Sequence, residues 1–284
     1  MSVLQFCVGG IFTWFGYSLP YEERLRRIRE AGFGAVCTWW GDTFAAADGP
    51  KEGQPALCAR AGLTLAHAHL PYYGCDALWR ADSAGDGFAA DTVAGIRAAA
   101  RCGVPVLVFH PYDDPAAEAP GADPSAFFAH MDRIAAAAEA CGVRLAVENL
   151  RGSGVLRAVL RRYADNERIG FCFDSGHNNI ADKDDFSLFG EFPGRLFALH
   201  LHDNGGTRDE HLLPFEGNVR WDLFCAALRA TSFDGPLMLE SSSPCIGPDG
   251  DYAPPQEPAA RYLARAKRAV DALASRCGAG GQLR

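Results

Sequence analysis

Residues 170–177 read GFCFDSGH. Positions 170–173 form a short apolar run of the kind found in strands buried on both faces. The run ends on a carboxylate, Asp174, and an imidazole, His177, follows three residues later across a glycine-containing turn. Both side chains can then point into one site. The pattern of an apolar run closed by Asp, Glu or His recurs along the whole chain, and that recurrence decides the fold.

Downstream, residues 195–202 (RLFALHLH) and 236–240 (PLMLE) repeat the pattern. Upstream, so do residues 143–148 (VRLAVE), 104–110 (VPVLVFH) and 63–69 (LTLAHAH), preceded by apolar runs at 35–39 (AVCTW) and 3–8 (VLQFCV). Gly9 and Gly10 are expected to break the first of these strands. Between the runs, the spacing of apolar residues predicts helices over 21–31, 54–61, 86–102, 124–141, 154–163 and 221–230, a short helix near 186–192, and a closing helix over 257–276. Pro20 opens the first helix, and Gly32, Gly62, Gly103 and Gly142 stop four of them. Continuous apolar strands alternating with helices imply a parallel sheet with right-handed crossovers. Eight such units in 284 residues predict a single α/β domain spanning 1–284, a (β/α)8 TIM barrel with parallel strands. An open doubly wound sheet is the alternative. Against it, no G-x-G-x-x-G turn follows the first strand, and no Pro- or Ser-rich linker divides the chain.

The formal net charge of −8 disfavours a broad nucleic-acid footprint and a polybasic membrane contact. Ten cysteines include no C-x-x-C pair, so they read as small buried residues of a reducing compartment. With no basic segment and apolar run at the N-terminus, and no stretch near the ~20 apolar residues of a membrane span, a cytoplasmic location is expected.

In such a barrel the active site forms at the C-terminal ends of the strands. There lie His69, His110, Glu148 and Asp174, with His177 just beyond, then His200, His202 and Asp203, and finally Glu240. Seven of the eight histidines fall at strand ends or in the loops that follow; His130 alone sits in a helix. Several converging carboxylates repel one another unless a cation or protons compensate. The mixture of imidazole and carboxylate suits a divalent ion such as Mn, Co, Zn or Fe better than the all-oxygen sites of Ca or Mg, without distinguishing which ion, Mg included. One residue from each of strands five to eight, Glu148, Asp174, His200 and Glu240, makes the core metal set. His67 reads as structural, with its side facing away from that of His69.

The segments HLPY (69–72), VFHPY (108–112), VENL (147–150), FDSGH (173–177), HLHDN (200–204), DEHLLPFEGNVRW (209–221) and MLES (238–241) together resemble the xylose-isomerase-like TIM-barrel superfamily. It holds sugar and sugar-phosphate isomerases and epimerases, and also the endonuclease-four type of abasic-site endonuclease. The resemblance runs in the same order over nearly the whole chain. It implies that Glu148, Asp174, His200 and Glu240 hold one divalent metal, with His200 the ligand rather than His202, and that His177 contacts substrate. In the endonuclease branch a larger set holds three zinc ions, which would add His69, His110, His177, Asp209 and His211. All of those positions carry residues of the right type.

An epimerase or ketol isomerase moves a proton on a carbon beside a carbonyl. Glu148 and Glu240 are suited to remove and return it as paired acid and base. An endonuclease needs a basic footprint. The eight loops that follow the strands instead carry 20 Asp or Glu against 6 Lys or Arg. Trp14, Phe15, Trp39 and Trp40 suit stacking on a sugar or shielding a small ligand. Trp14, Trp39 and Arg208 are the candidate substrate contacts. Arg151, Arg208 and Arg220 could meet a phosphate, but a free sugar or polyol-derived keto compound is favoured. The expected partner is thus a small sugar, with neither nucleic acid nor membrane, in a possible homo-oligomer. A multinuclear phosphodiesterase, or a metal-binding subunit of a partner-dependent enzyme, is the alternative. Asp203 and Asn204 are expected to orient His200.

Overall fold

The parallel strands are β1 (Gly9–Phe12), β2 (Ala35–Trp39), β3 (Thr64–His69), β4 (Val106–Phe109), β5 (Arg144–Glu148), β6 (Ile169–Asp174), β7 (Leu196–His200) and β8 (Leu237–Leu239). The structure is a computed structural model that describes residues 9–42, 48–113, 123–183, 185–243 and 255–279. Strands adjacent in sequence are adjacent in the sheet, and β8 returns to pair with β1. The ring closes between β7 and β8, where Leu201 N donates to Met238 O (2.9 Å) and Glu240 N to Leu201 O (3.0 Å). This is the expected (β/α)8 barrel.

The helices between strands are α1 (Tyr21–Glu30), α2 (Gln54–Arg60), α3 (Ser83–Arg101), α4 (Pro124–Cys141), α5 (Gly154–Arg162), α6 (Ser175–Ala181), α7 (Ser187–Glu191), α8 (Trp221–Leu228) and α9 (Ala259–Ala274). Asp82 caps α3 and Asp123 caps α4, each accepting main-chain N–H groups of the first turn. One core layer lies between helices and barrel. In it Phe173 on β6 packs at 4.6 Å from Phe189, beside Phe186 and Phe224. Burial of each such ring contributes about 1.5–3 kcal/mol. Inside the barrel, the floor is made of small and medium side chains, among them Val106, Val108, Ala146, Cys172 and Ala198.

Two expectations change here. The first strand lies at Gly9–Phe12, so Gly10 belongs to it rather than breaking it, while residues 3–8 lie outside the described residues. A Cβ at Gly10 would fall 2.6 Å from Met238 Cε, so a larger residue there would require the end of the Met238 side chain to move. The cysteines are not all reduced: Cys225 on α8 and Cys277 beyond α9 form a disulfide, 52 residues apart in sequence. No local motif marks such a pair, because helix packing brings it together. No described helix is long and apolar enough to cross a membrane.

Candidate active site

The strand ends deliver the side chains. Residues two apart on a strand share a face, so His200 and His202 both turn inward and are fully buried. The same rule applies to β3 and corrects the expectation for His67. His67 and His69 both point into the barrel: His67 Nε2 lies 3.2 Å from His200 Nε2, and the His69 ring stacks on His200 at 5.6 Å.

Four carboxylates organise the imidazoles. His200 Nδ1 sits 3.3 Å from Glu148 Oε2 and 3.2 Å from Glu240 Oε2. His69 Nε2 and His110 Nε2 approach the same Glu148 Oε2 at 3.4 and 3.2 Å, and each other at 3.2 Å. Glu148 Oε1 faces His177 Nδ1 at 3.4 Å. Asp209 lies 3.1 Å from His211 Nε2 and 3.5 Å from His177 Nε2. Asp174 meets His202 Nε2 at 3.1 Å through both oxygens and His177 Nδ1 at 3.6 Å. Glu148, His200 and Glu240 therefore meet directly, with Asp174 joined to them through His177.

The stretch DSGH is the start of helix α6, not a turn. Asp174 is its N-cap and accepts the His177 amide proton at 2.7 Å. A Cβ on Gly176 would fall 1.9 Å from His202 Cε1, so only glycine lets the helix start beside that ring. Asn149, which the sequence reading passed over, clamps the end of β6. Its amide donates to Asp174 O (2.9 Å) and accepts from Asp174 N (2.7 Å). Its place directly after Glu148 was the available signal.

Asp203 and Asn204 do not orient His200, against expectation. The buried Asp203 carboxylate accepts from the amides of Asn204, Phe215 and Val219 and from the Trp221 indole (2.8–3.0 Å). It thereby fixes the loop that carries Asp209 and His211. Asn204 donates to Gly176 O. His211 is held in the left-handed region (φ 50°), with Nδ1 2.9 Å from Glu240 O. Such a backbone for a non-glycine residue is strained and persists because the surrounding loop determines it.

Above these groups is a cleft of about 140 Å³. Phe12, Trp14, Trp39 and Tyr72 wall it, and Glu148, Glu240, Asp209 and four imidazoles (His69, His110, His177, His211) line its base. Trp39 stacks on His69 at 5.6 Å, whereas the neighbouring Trp40 turns into the core and donates its indole N–H to Gly95 O. Arg208 is exposed in the loop just before Asp209, and Arg151 and Arg220 are likewise exposed; none lines the cleft.

Burial pushes the Glu148 carboxyl up, but His200 and His110 outweigh it and hold it well below the usual range. Glu240 is likewise held down against its burial, chiefly by His200, and Asp209 by His211 and His177. Conversely, burial lowers His200, yet Cys172, Glu240 and Glu148 raise it well above the ordinary value. His177 is raised by Asp174 and Asp209 against the same penalty, and His211 to about 10, mainly by Asp209. Burial dominates for His67 and His110, which are lowered. Without a metal, protons on His200, His177 and His211 compensate the carboxylates.

The donor set fits a divalent metal. His200 Nδ1, His202 Nδ1, His110 Nδ1 and Asp209 Oδ1 are buried with no hydrogen-bond partner among the described residues. Unsatisfied buried polar atoms are costly and call for an explanation such as an ion. His69, His200 and Glu240 offer ligand atoms within 4.8 Å of one another, and so do His69, His110 and Glu148.

The sequence model of the family described as "Xylose isomerase-like TIM barrel" matches residues 25–273. The chain belongs to that family. Among relatives in sequence, the "Ketose 3-epimerase" of Arthrobacter globiformis is 27% identical over 254 residues, covering 86% of this chain and 85% of the relative. The "Probable endonuclease 4" of Phocaeicola vulgatus is 30% identical over 146 residues, covering 42% and 52%. Among solved structures, a D-allulose 3-epimerase from Methylomonas sp. in complex with D-allulose superposes with a TM-score of 0.71 at 18% identity, covering 95% of this chain and 96% of that one. That likeness is one of fold.

Proposed function

We propose that this chain is a divalent-metal-dependent isomerase or epimerase acting on a small, unphosphorylated keto sugar. The carrying observation is that Glu148 and Glu240 both approach His200 Nδ1, at 3.3 and 3.2 Å, at the base of an aromatic-walled cleft. Glu148, Asp174, His200 and Glu240 would hold the metal, which when bound supplies Lewis-acid polarisation of the sugar's carbonyl. One glutamate takes the proton from the carbon beside the carbonyl, and that C–H electron pair moves into the carbon skeleton to give an enediolate. The other glutamate delivers a proton to the opposite face, which inverts the carbon. In the resting site the imidazoles around them hold both glutamates ionised, so the glutamate that delivers a proton first takes one up from a neighbouring protonated imidazole, such as His211 beside Glu240. Trp14, Trp39 and Tyr72 cover the sugar and exclude water, and His177 bonds its hydroxyls. Arg208 would reach the substrate only by movement of its loop. The near end-to-end likeness to a ketose 3-epimerase supports this reading.

A second reading has its own observation. His69, His110 and Glu148 form one further cluster, and His177, His211 and Asp209 another, so that up to three ions could share the site. That is the arrangement a phosphodiester hydrolase would use. The acidic loops around the mouth oppose a DNA backbone, which places the sugar reading first. Ketoses and an abasic-site duplex, each assayed with the same metal-replete sample, separate the two.

A further inference from the structure

The metal reading leaves one polar contact unused, at the underside of the site. His200 Nδ1 faces the two glutamates, and its other ring nitrogen, Nε2, points down into the barrel. There it meets His67 Nε2 at 3.2 Å. Both rings are buried, with His200 fully so and His67 nearly so. Of two facing imidazole nitrogens, one must carry a proton and the other a lone pair for the contact to be attractive. His200 Nδ1 lies 3.3 Å from Glu148 Oε2 and 3.2 Å from Glu240 Oε2, yet it makes no hydrogen bond to either. A lone pair there would be available to an ion that the two carboxylates share.

We infer that His67 is a positioning residue: it accepts the Nε2–H of His200, fixes that tautomer, and so presents the Nδ1 lone pair to the metal. A metal-ligating imidazole whose far N–H is held by a partner is fixed in orientation and is a better donor. The inference rests on the proposed metal reading and adds to it the residue that sets the ligand's proton. Its competitors are close by. Cys37 Sγ lies within 4.8 Å of the ligand atoms of both His67 and His200, and Cys172 lies near His200 on the Glu148 side. A thiol is a weak acceptor, so the imidazole outcompetes it for the N–H.

The test uses the full chain loaded with zinc and labelled with nitrogen-15 in histidine. In the wild type, a coupling across the hydrogen bond between His200 Nε2 and His67 Nε2 is expected, with the His200 proton on Nε2. His67→Leu, which removes the acceptor, should raise the zinc dissociation constant by about 10–100-fold. His67→Gln, whose side-chain oxygen can accept the proton, should restore most of the affinity. A folded His67→Leu protein that binds zinc as tightly as wild type overturns the inference, as does a His200 proton on Nδ1 or zinc seated on Nε2 among Cys37, His67 and His200. Should His67→Leu fail to fold, the wild-type coupling decides alone. A wild-type protein that binds no zinc defeats the metal reading itself and this inference with it; tight wild-type binding without the coupling defeats the inference only.

Discussion

Asp174 closes strand β6 and at the same time caps helix α6: its Oδ1 accepts the amide proton of His177 at 2.7 Å. A single carboxylate thus sets the orientation of the imidazole that bridges Glu148 and Asp209. The cap, the Asn149 clamp on the Asp174 main chain and the close approach of Gly176 to His202 form one rigid corner of the site.

That corner leaves no room for a methyl group. Gly176→Ala places a Cβ against the His202 ring, and either the helix start or the ring must move. A stability loss of about 1–3 kcal/mol is expected from overpacking, together with weakened metal binding. Thermal unfolding and metal titration of the same variant measure both.

The site's protonation gives a pH dependence of definite sign. In metal-free protein, His211 is raised from 6.5 to about 10, and His200 and His177 are raised as well. Their stabilisation is fully present below about pH 6.5 and is lost as pH rises through the folded values, near 10 for His211. The depressed carboxylates Glu148, Glu240 and Asp209 contribute above their ordinary values, near 4, and lose that contribution as pH falls. The Tm of chelator-treated protein should therefore peak between about pH 5 and 6.5 and decline toward pH 10. Metal must displace those imidazole protons, so the Tm gain on adding metal should grow from pH 5 to 8. A gain that shrinks over that range would contradict the assignment.

The number of ions separates the two readings of the site. His69→Ala and His110→Ala remove imidazoles from one face of Glu148 while sparing His200 and Glu240. Under the isomerase reading, both variants retain a bound ion and lose affinity for sugar. Under the multinuclear reading, the number of bound ions falls by one, as elemental analysis of dialysed protein would show.

The Cys225–Cys277 disulfide ties α8 to the chain end beyond α9 across a 52-residue separation. Reduction, or Cys277→Ser, should cost about 2–4 kcal/mol of stability. Neither cysteine lines the cleft, so turnover of the proposed sugar substrate below the melting range should persist. Calorimetry with and without reductant measures the loss.

Much of this molecule was legible because its physics is local. Buried parallel strands are continuous apolar runs, and β2, β6 and α4 fall on the residues that pattern marks. Strand ends in a barrel converge, so carboxylates and imidazoles far apart in sequence could be expected together. Helix α6 was not legible, because S-G-H-N-N carries poor helix formers and the element depends on the Asp174 cap. The loop after β7 was hidden for a different reason. It is organised by Asp203 bonding to amides up to 16 residues away, which leaves no period to read. His67 was misread although the two-residue period placed it beside His69, and its partner His200 comes from a strand 133 residues on.

The most direct measurement follows the proton. Metal-replete protein is incubated with a panel of ketoses in D2O and watched by proton NMR. Deuterium should enter at the carbon beside the carbonyl as the epimer or isomer forms, and Glu148→Gln or Glu240→Gln should slow that exchange by about 10²–10⁴-fold. Absence of exchange with every ketose, alongside cleavage of an abasic-site duplex by the same sample, would contradict the account.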